Sequence, residues 1–320
     1  MSGSFFSMQV GFDTDIGGGK ENQDDFLVFS RPALNVFVGG VFDGHGREVG
    51  KIAANAARAS LLKFCEENIE ELIAEPVKSL IKAHEVSHSF IKQSFRLELE
   101  SQGFEIQEDE KGGYLMKRKL ASNQSWGCVH GGSSSTIVAI IGTNMYIANV
   151  GDSSATLSST SPVLTHTCIN HIVDSAISAT SPLVQMRGSM HSQYMTNHDA
   201  APVASDTLVV TAEHSPESPY EFYRLREFRA RDEDATQPAL LVVYDSPSHE
   251  KARCNSVFQL NEQGQAEVTN AGKCVPDSII VIIIVSFMKS SPRILILKQP
   301  PSYIVRLFAH SFSNYVLQVL

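Results

Sequence analysis

No two cysteines of this 320-residue chain are spaced as CxxC. Cys65, Cys128, Cys168, Cys254 and Cys274 are scattered and odd in number. That pattern argues against a disulfide framework or a zinc knuckle and points to a reducing compartment. The N-terminus, MSGSFFSMQVGFDTD, has neither a basic n-region nor a long apolar h-region. No secretory signal is expected, so the sequon Asn123-Gln124-Ser125 is expected to stay unglycosylated and the protein to be cytoplasmic or nuclear. The apolar run at 279–288 falls well short of the roughly 20 residues of a bilayer span. It reads as a buried strand, or as an aggregation-prone segment if unpaired. Positive charge is scarce: 26 Lys and Arg against 35 Asp and Glu leave a net charge of −9, which argues against a general nucleic-acid surface. The scarcity is not uniform, since from residue 274 onward Lys289, Arg293, Lys298 and Arg306 face Asp277 alone. No internal repeat is present. With 42% hydrophobic and 19% charged residues, the chain suits one large domain or two small ones with a sizeable core.

Strands are expected at 7–16 and 25–42, where β-branched and aromatic residues gather, with Arg31-Pro32 breaking the second run. A helix is expected after His45, carried by Val49, Ile52, Ala53, Ala56, Ala57 and Phe64 at helical spacing. Another spans 75–99, with Val77, Leu80, Ile81, Ile91 and Phe95 on one face. Residues 100–130 are polar and glycine-broken and read as a mobile loop. A hairpin follows, with strands at 136–141 and 145–150 around Gly142-Thr143-Asn144. Residues 158–200 are rich in Ser, Thr and His with weak periodicity. Short strands at 207–211 and 240–244 flank a helix at 220–228. Strands arrive as hairpins rather than in βαβ order, which predicts α+β layers with antiparallel or mixed sheets.

Two runs concentrate the chemistry: Val41-Phe42-Asp43-Gly44-His45-Gly46 and Asn149-Val150-Gly151-Asp152-Ser153. Each sets an aspartate beside a glycine at the end of an apolar stretch, where a carboxylate can point into a cleft and the backbone can approach closely. Glu21-Asn22-Gln23-Asp24-Asp25 adds a third acidic cluster. Carboxylates converging from separate strands suit hard cations such as Mg²⁺ or Mn²⁺. Each motif also has a plain reading as a tight turn or hairpin end, and Gly131-Gly132-Ser133-Ser134-Ser135-Thr136 reads as small residues letting a strand pack closely.

Taken together and in order, Glu21–Asp24, the Asp43-Gly44-His45-Gly46 run, Gly131–Thr136 and Gly151-Asp152 resemble the metal-dependent protein serine/threonine phosphatases of type 2C. The resemblance is good from 7 to 157 and loose to 273. It implies a four-layer sandwich, with helices flanking two mixed or antiparallel sheets and a two-ion Mg²⁺ or Mn²⁺ centre at one end. It implies that Asp43 bridges both ions, that the Gly44 carbonyl is a ligand, and that Asp24 holds metal-bound water. Asp152 would serve a further metal or water site, and His45 would be the general acid. Gln23 stands where many relatives have a metal-binding glutamate. Lys20 stands near the place of a phosphate-binding arginine, although a solvated surface lysine is the plainer reading. The implied activity is hydrolysis of phosphoserine and phosphothreonine in phosphoprotein substrates by a metal-activated water, with His45 protonating the departing oxygen.

The chain departs from that pattern late. Asp245 is followed by Ser246-Pro247 rather than glycine, and Asp277 stands alone. Residues 1–273 therefore read as a partial phosphatase-like domain and 274–320 as a divergent basic and apolar tail. That tail is not expected to complete the metal site, and part of the second sheet is expected to be missing. A catalytically impaired phosphatase-like binding module is thus the main alternative. His84-Glu85-Val86-Ser87-His88 also matches the H-E-x-x-H zinc signature on a helix. No third ligand is placed by spacing, and the apolar stripe of that helix runs through both histidines, so a packing role competes with a zinc-protease role.

Overall fold

The computed structural model describes residues 8–14, 16, 20–109, 112–119, 125–159, 169–174, 207–209, 241–244, 256–262, 266–269, 280–283, 293–298, 303–308, 316–319 and the single positions 211, 214, 218 and 222. In chain order the strands are β1 (Val10–Asp13), β2 (Asp25–Arg31), β3 (Val36–Phe42), β4 (Gly44–His45), β5 (Phe104–Glu108), β6 (Tyr114–Arg118), β7 (Gly127–Cys128), β8 (Gly132–Ser133), β9 (Ser135–Ile141) and β10 (Asn144–Val150). They continue with β11 (Ser154–Ser159), β12 (Ile169–Asp174), β13 (Thr207–Val209), β14 (Leu241–Tyr244), β15 (Phe258–Leu260), β16 (Ala266–Val268), β17 (Ile280–Ile283), β18 (Arg293–Lys298), β19 (Tyr303–Phe308) and β20 (Val316–Val319). Three helices, α1 (Gly50–Glu67), α2 (Ile69–Ala74) and α3 (Pro76–Ser101), lie between β4 and β5.

The described backbone divides into two units. The first comprises 1–174, 199–212 and 291–320. It contains a six-stranded sheet ordered β12-β18-β10-β9-β3-β2 and a five-stranded sheet ordered β1-β20-β19-β11-β13, every pairing antiparallel. Alternation decides which face each side chain takes. Val36, Val38 and Phe42 of β3, with Ile137, Ala139 and Ile141 of β9 and Tyr146 and Ala148 of β10, meet Ala54, Ala57, Leu61 and Phe64 of α1 and Leu80 and Ala83 of α3. The intervening positions Phe37, Val41, Val138 and Ile147 are buried as well, because β3 is covered on its other side by β19 and β20 of the second sheet. β3 is accordingly buried at every residue. This is the expected α+β sandwich. The helix expected at 220–228 lies outside the described residues apart from Phe222.

The second unit comprises 175–198 and 213–290. In it β14 pairs with β17 and β15 with β16, both antiparallel. The isoleucine-rich run near 280 is therefore a paired strand.

One expectation needs correction. Residues 100–130 are not an open loop: α3 continues to Ser101, and β5, β6 and β7 then form a three-stranded antiparallel sheet. Gly112-Gly113 closes the β5–β6 hairpin, with the Gly113 N–H donating to the Asp109 carboxylate at 2.7 Å. Phe104, Ile106, Tyr114 and Met116 alternate in the strands and pack on Val49, Ala53, Phe95 and Leu99. Charged residues between them hid the period of two. The tail also takes part in pairing. Residues 293–298, 303–308 and 316–319 supply β18, β19 and β20 to both sheets of the first unit. Among the described residues no helix is long and apolar enough to cross a membrane.

Candidate metal centre

One end of the six-stranded sheet collects the acidic residues, and the register explains why. Asp25 of β2 pairs with Phe42 of β3, Val41 of β3 with Thr136 of β9, and Ser135 of β9 with Val150 of β10. The residues just beyond these pairs (Asp24, Asp43, Ser134 and the turn Gly151-Asp152) therefore share one edge. Asp24 and Asp43 are both buried, at 1% and 0% exposure. Asp25, one residue further along, is bound by the Arg58 guanidinium at 2.8 Å. Asp43 itself does not face water. The solvent side of the site is formed by half-buried Asp152 and exposed His45.

Asp43, His45 and Asp152 each offer one ligand atom, and these atoms lie within 4.8 Å of one another. His45 Nε2 is 3.6 Å from Asp43 Oδ2. Among the described residues this is the one group of three such side chains. Two carboxylate oxygens and an imidazole nitrogen fit a hard or borderline divalent cation such as Mg²⁺ or Mn²⁺. Sequence reasoning assigned His45 to proton transfer alone. Its nearness to Asp43 comes from β4, which pairs Gly44 with Ser133 and His45 with Gly132, and a two-residue strand leaves no periodic signal.

The neighbouring residues hold the site rather than join the trio. Asp24 lies outside it. Its N–H donates to the Asn22 carboxamide oxygen at 3.0 Å, and its carbonyl accepts from Lys51 Nζ at 2.8 Å. The Gln23 side-chain amide donates to the Gly46 carbonyl at 3.0 Å. Gly44 marks a close approach of backbone to backbone: a Cβ there would sit 2.2 Å from the Gly50 carbonyl oxygen and 2.5 Å from that of Gln23. This crossing brings β4 against the start of α1. Lys20 is exposed. Asp245 and Asp277 lie outside the described residues.

The H-E-x-x-H histidines are placed differently. His84 Nδ1 is 2.8 Å from the Leu80 carbonyl and its Nε2 is 3.2 Å from Ser135 Oγ. Both ring nitrogens are thus occupied within the protein. Burial pushes its pKa below the ordinary value, only partly offset by the Leu80 carbonyl. His88 and Glu85 are exposed. None of the three joins a cluster of metal-capable side chains among the described residues.

Residues 29–171 match the family model described as Protein phosphatase 2C, a span that contains Asp43, His45 and Asp152. No curated protein matches the chain in sequence. Among solved structures, a serine-threonine phosphatase 2C from Toxoplasma gondii is similar with 13% identity and a TM-score of 0.45, covering 95% of this chain and 78% of that one. A serine/threonine phosphatase from S. agalactiae has 13% identity and a TM-score of 0.41, over 98% of this chain and 99% of that one. A C. elegans sex determining protein has 16% identity and a TM-score of 0.42, over 96% of this chain and 52% of that one.

Proposed function

We propose that this chain, whose residues 29–171 match the Protein phosphatase 2C family model, hydrolyses phosphoserine and phosphothreonine in proteins at a divalent-cation centre held by Asp43 and Asp152. The observation that carries this reading is the meeting of Asp43, His45 and Asp152 within 4.8 Å at the edge of the six-stranded sheet. A divalent cation bound there supplies neutralising charge toward a phosphomonoester dianion and an acidified water. Asp43, withdrawn from solvent, fixes the inner side of that position. Asp152, half-buried, closes it from the β10–β11 turn. His45 is exposed, and its imidazole can hand a proton to the departing serine or threonine oxygen near neutral pH. The buried Asp24 supports an outer role, through water, with Lys51 fixing its backbone. Gly44 contributes a backbone carbonyl in this reading.

A second reading has an observation in its favour. The described residues supply one cation cluster, whereas two-ion phosphoryl chemistry needs ions roughly 4 Å apart. If carboxylates from elsewhere in the chain do not complete the pair, the protein is a weak phosphatase or a phosphatase-like binding module. Hydrolysis of p-nitrophenyl phosphate and of phosphothreonine peptides with saturating Mn²⁺ separates the two. Turnover that disappears in Asp43→Asn supports the enzyme. A folded protein that binds Mn²⁺ but never turns over supports the binding module and overturns the enzymatic reading.

A further inference from the structure

We propose that Ser134 is a positioning residue that sets the separation of Asp43 and Asp152 from a single buried side chain. The inference deepens the cation-dependent reading of the site and rests on it. Ser134 is 5% exposed and immediately precedes β9. Its N–H donates to the Asp43 carbonyl at 2.8 Å. In return the Asp43 N–H donates to Ser134 Oγ at 3.3 Å. Both backbone polar groups of Asp43 therefore end on one residue. On its other side Ser134 Oγ is hydrogen-bonded to Ser153 Oγ. A hydroxyl has one donor and two acceptor sites, so it serves both partners at once.

Contact reinforces the bonding. A Cβ added to Gly151 would lie 2.6 Å from Ser134 Cβ, and Gly151 adopts φ +100. The turn carrying Asp152 is thus pressed against Ser134 in a conformation that glycine tolerates. Asn149, also buried, closes the other side of the turn: its Nδ2 donates to the Gly151 carbonyl at 3.3 Å while its Oδ1 accepts from Thr136 Oγ1 at 2.5 Å. Asp43 is held from below and Asp152 from both flanks, with Ser134 common to the two. Outer groups that orient metal-binding side chains typically govern affinity by 10- to 100-fold when removed. A hydroxyl that only satisfies a buried backbone group would govern stability instead.

Titration of the full-length chain with Mn²⁺ alone, followed by calorimetry, separates these roles. Ser134→Ala should weaken Mn²⁺ binding about tenfold or more. Ser153→Ala, which keeps the Asp43 link and removes the other, should weaken it several-fold. Ser60→Ala removes an equally buried hydroxyl, paired with Ser87 between α1 and α3 at 3.3 Å. It should leave Mn²⁺ affinity unchanged whatever it does to the melting temperature. Folded Ser134→Ala and Ser153→Ala proteins with wild-type affinity overturn the proposal. Should Ser134→Ala fail to fold, Ser153→Ala decides alone, and wild-type affinity in it overturns the proposal. Asp43→Asn tells the two levels apart. If it loses binding while the serine variants keep it, only the positioning role falls. If it too binds like wild type, the cation reading falls with it.

Discussion

Asp43→Asn should stabilise the metal-free protein while removing its response to metal. Asp43 is fully buried and Asp152 half-buried, and their ligand oxygens lie within 4.8 Å. Two unit charges at that separation repel by about 3.5 kcal/mol at an effective dielectric constant of 20, and by about 0.9 kcal/mol in bulk water. Asp152 meets solvent, so the repulsion in metal-free protein falls between these limits. Asparagine keeps the shape of Asp43 and removes the charge. The variant should therefore be more stable than wild type in EDTA by about 1–3 kcal/mol, a rise in melting temperature of roughly 2–5 °C for a chain of this length. Mn²⁺ should reverse the order. At a hundredfold excess over the dissociation constant a bound cation adds about 2.7 kcal/mol to wild type, and the variant should gain little. Differential scanning calorimetry of both proteins, in EDTA and in Mn²⁺, measures all four states. A variant that melts below wild type in EDTA, or that gains as much from Mn²⁺, would refute the idea that these carboxylates share one cation.

Gly44→Ala should destabilise the fold by about 3 kcal/mol or more, because its Cβ would meet backbone oxygens that cannot step aside,; urea denaturation should show a lower midpoint. His84 should make stability pH-dependent: its folded pKa lies below the ordinary 6.5, so the unfolded chain takes up a proton first as pH falls. Stability is then full above about 6.5 and is lost progressively below it, and His84→Gln should flatten the slope of chemical-denaturation free energy between pH 7 and 5. Burial, aided by Glu66, pushes the Cys65 thiol up to about 12, whereas Cys128 is exposed. Iodoacetamide at neutral pH should therefore modify Cys128 readily and Cys65 only on unfolding, which peptide mass spectrometry can follow; early modification of Cys65 would contradict its burial.

Much of the site could be read from local pattern. Strands β2, β3, β9 and β10 announce themselves through β-branched residues and glycine turns, and Asp43 and Asp152 stand out as acids beside glycines at strand ends. What escaped is non-local. The β5–β7 sheet was hidden because Gln107, Glu108, Lys117 and Arg118 share its strands with the apolar positions, and its glycines turn a hairpin rather than break a strand. The tail strands looked foreign because short apolar runs carry no alternation, and only their partners reveal them. Ser134 read as a small packing residue. Its role depends on partners 91 residues upstream and 19 downstream, a relation that no spacing rule exposes.

The placement of β18 bears on how this protein is made. Residues 293–298 pair along the length of β10 at 144–150, the strand whose end carries Asp152. During synthesis β10 emerges long before its partner does, and its outer hydrogen-bonding edge stays open while some 140 further residues are added. Pairings so distant in sequence close slowly, and open apolar edges in the interval invite association with other chains. Yield from cells should therefore depend on translation rate and chaperone supply more than on the stability of the finished sandwich. Premature termination before residue 293 would leave Asp43, His45 and Asp152 on a sheet that lacks β18.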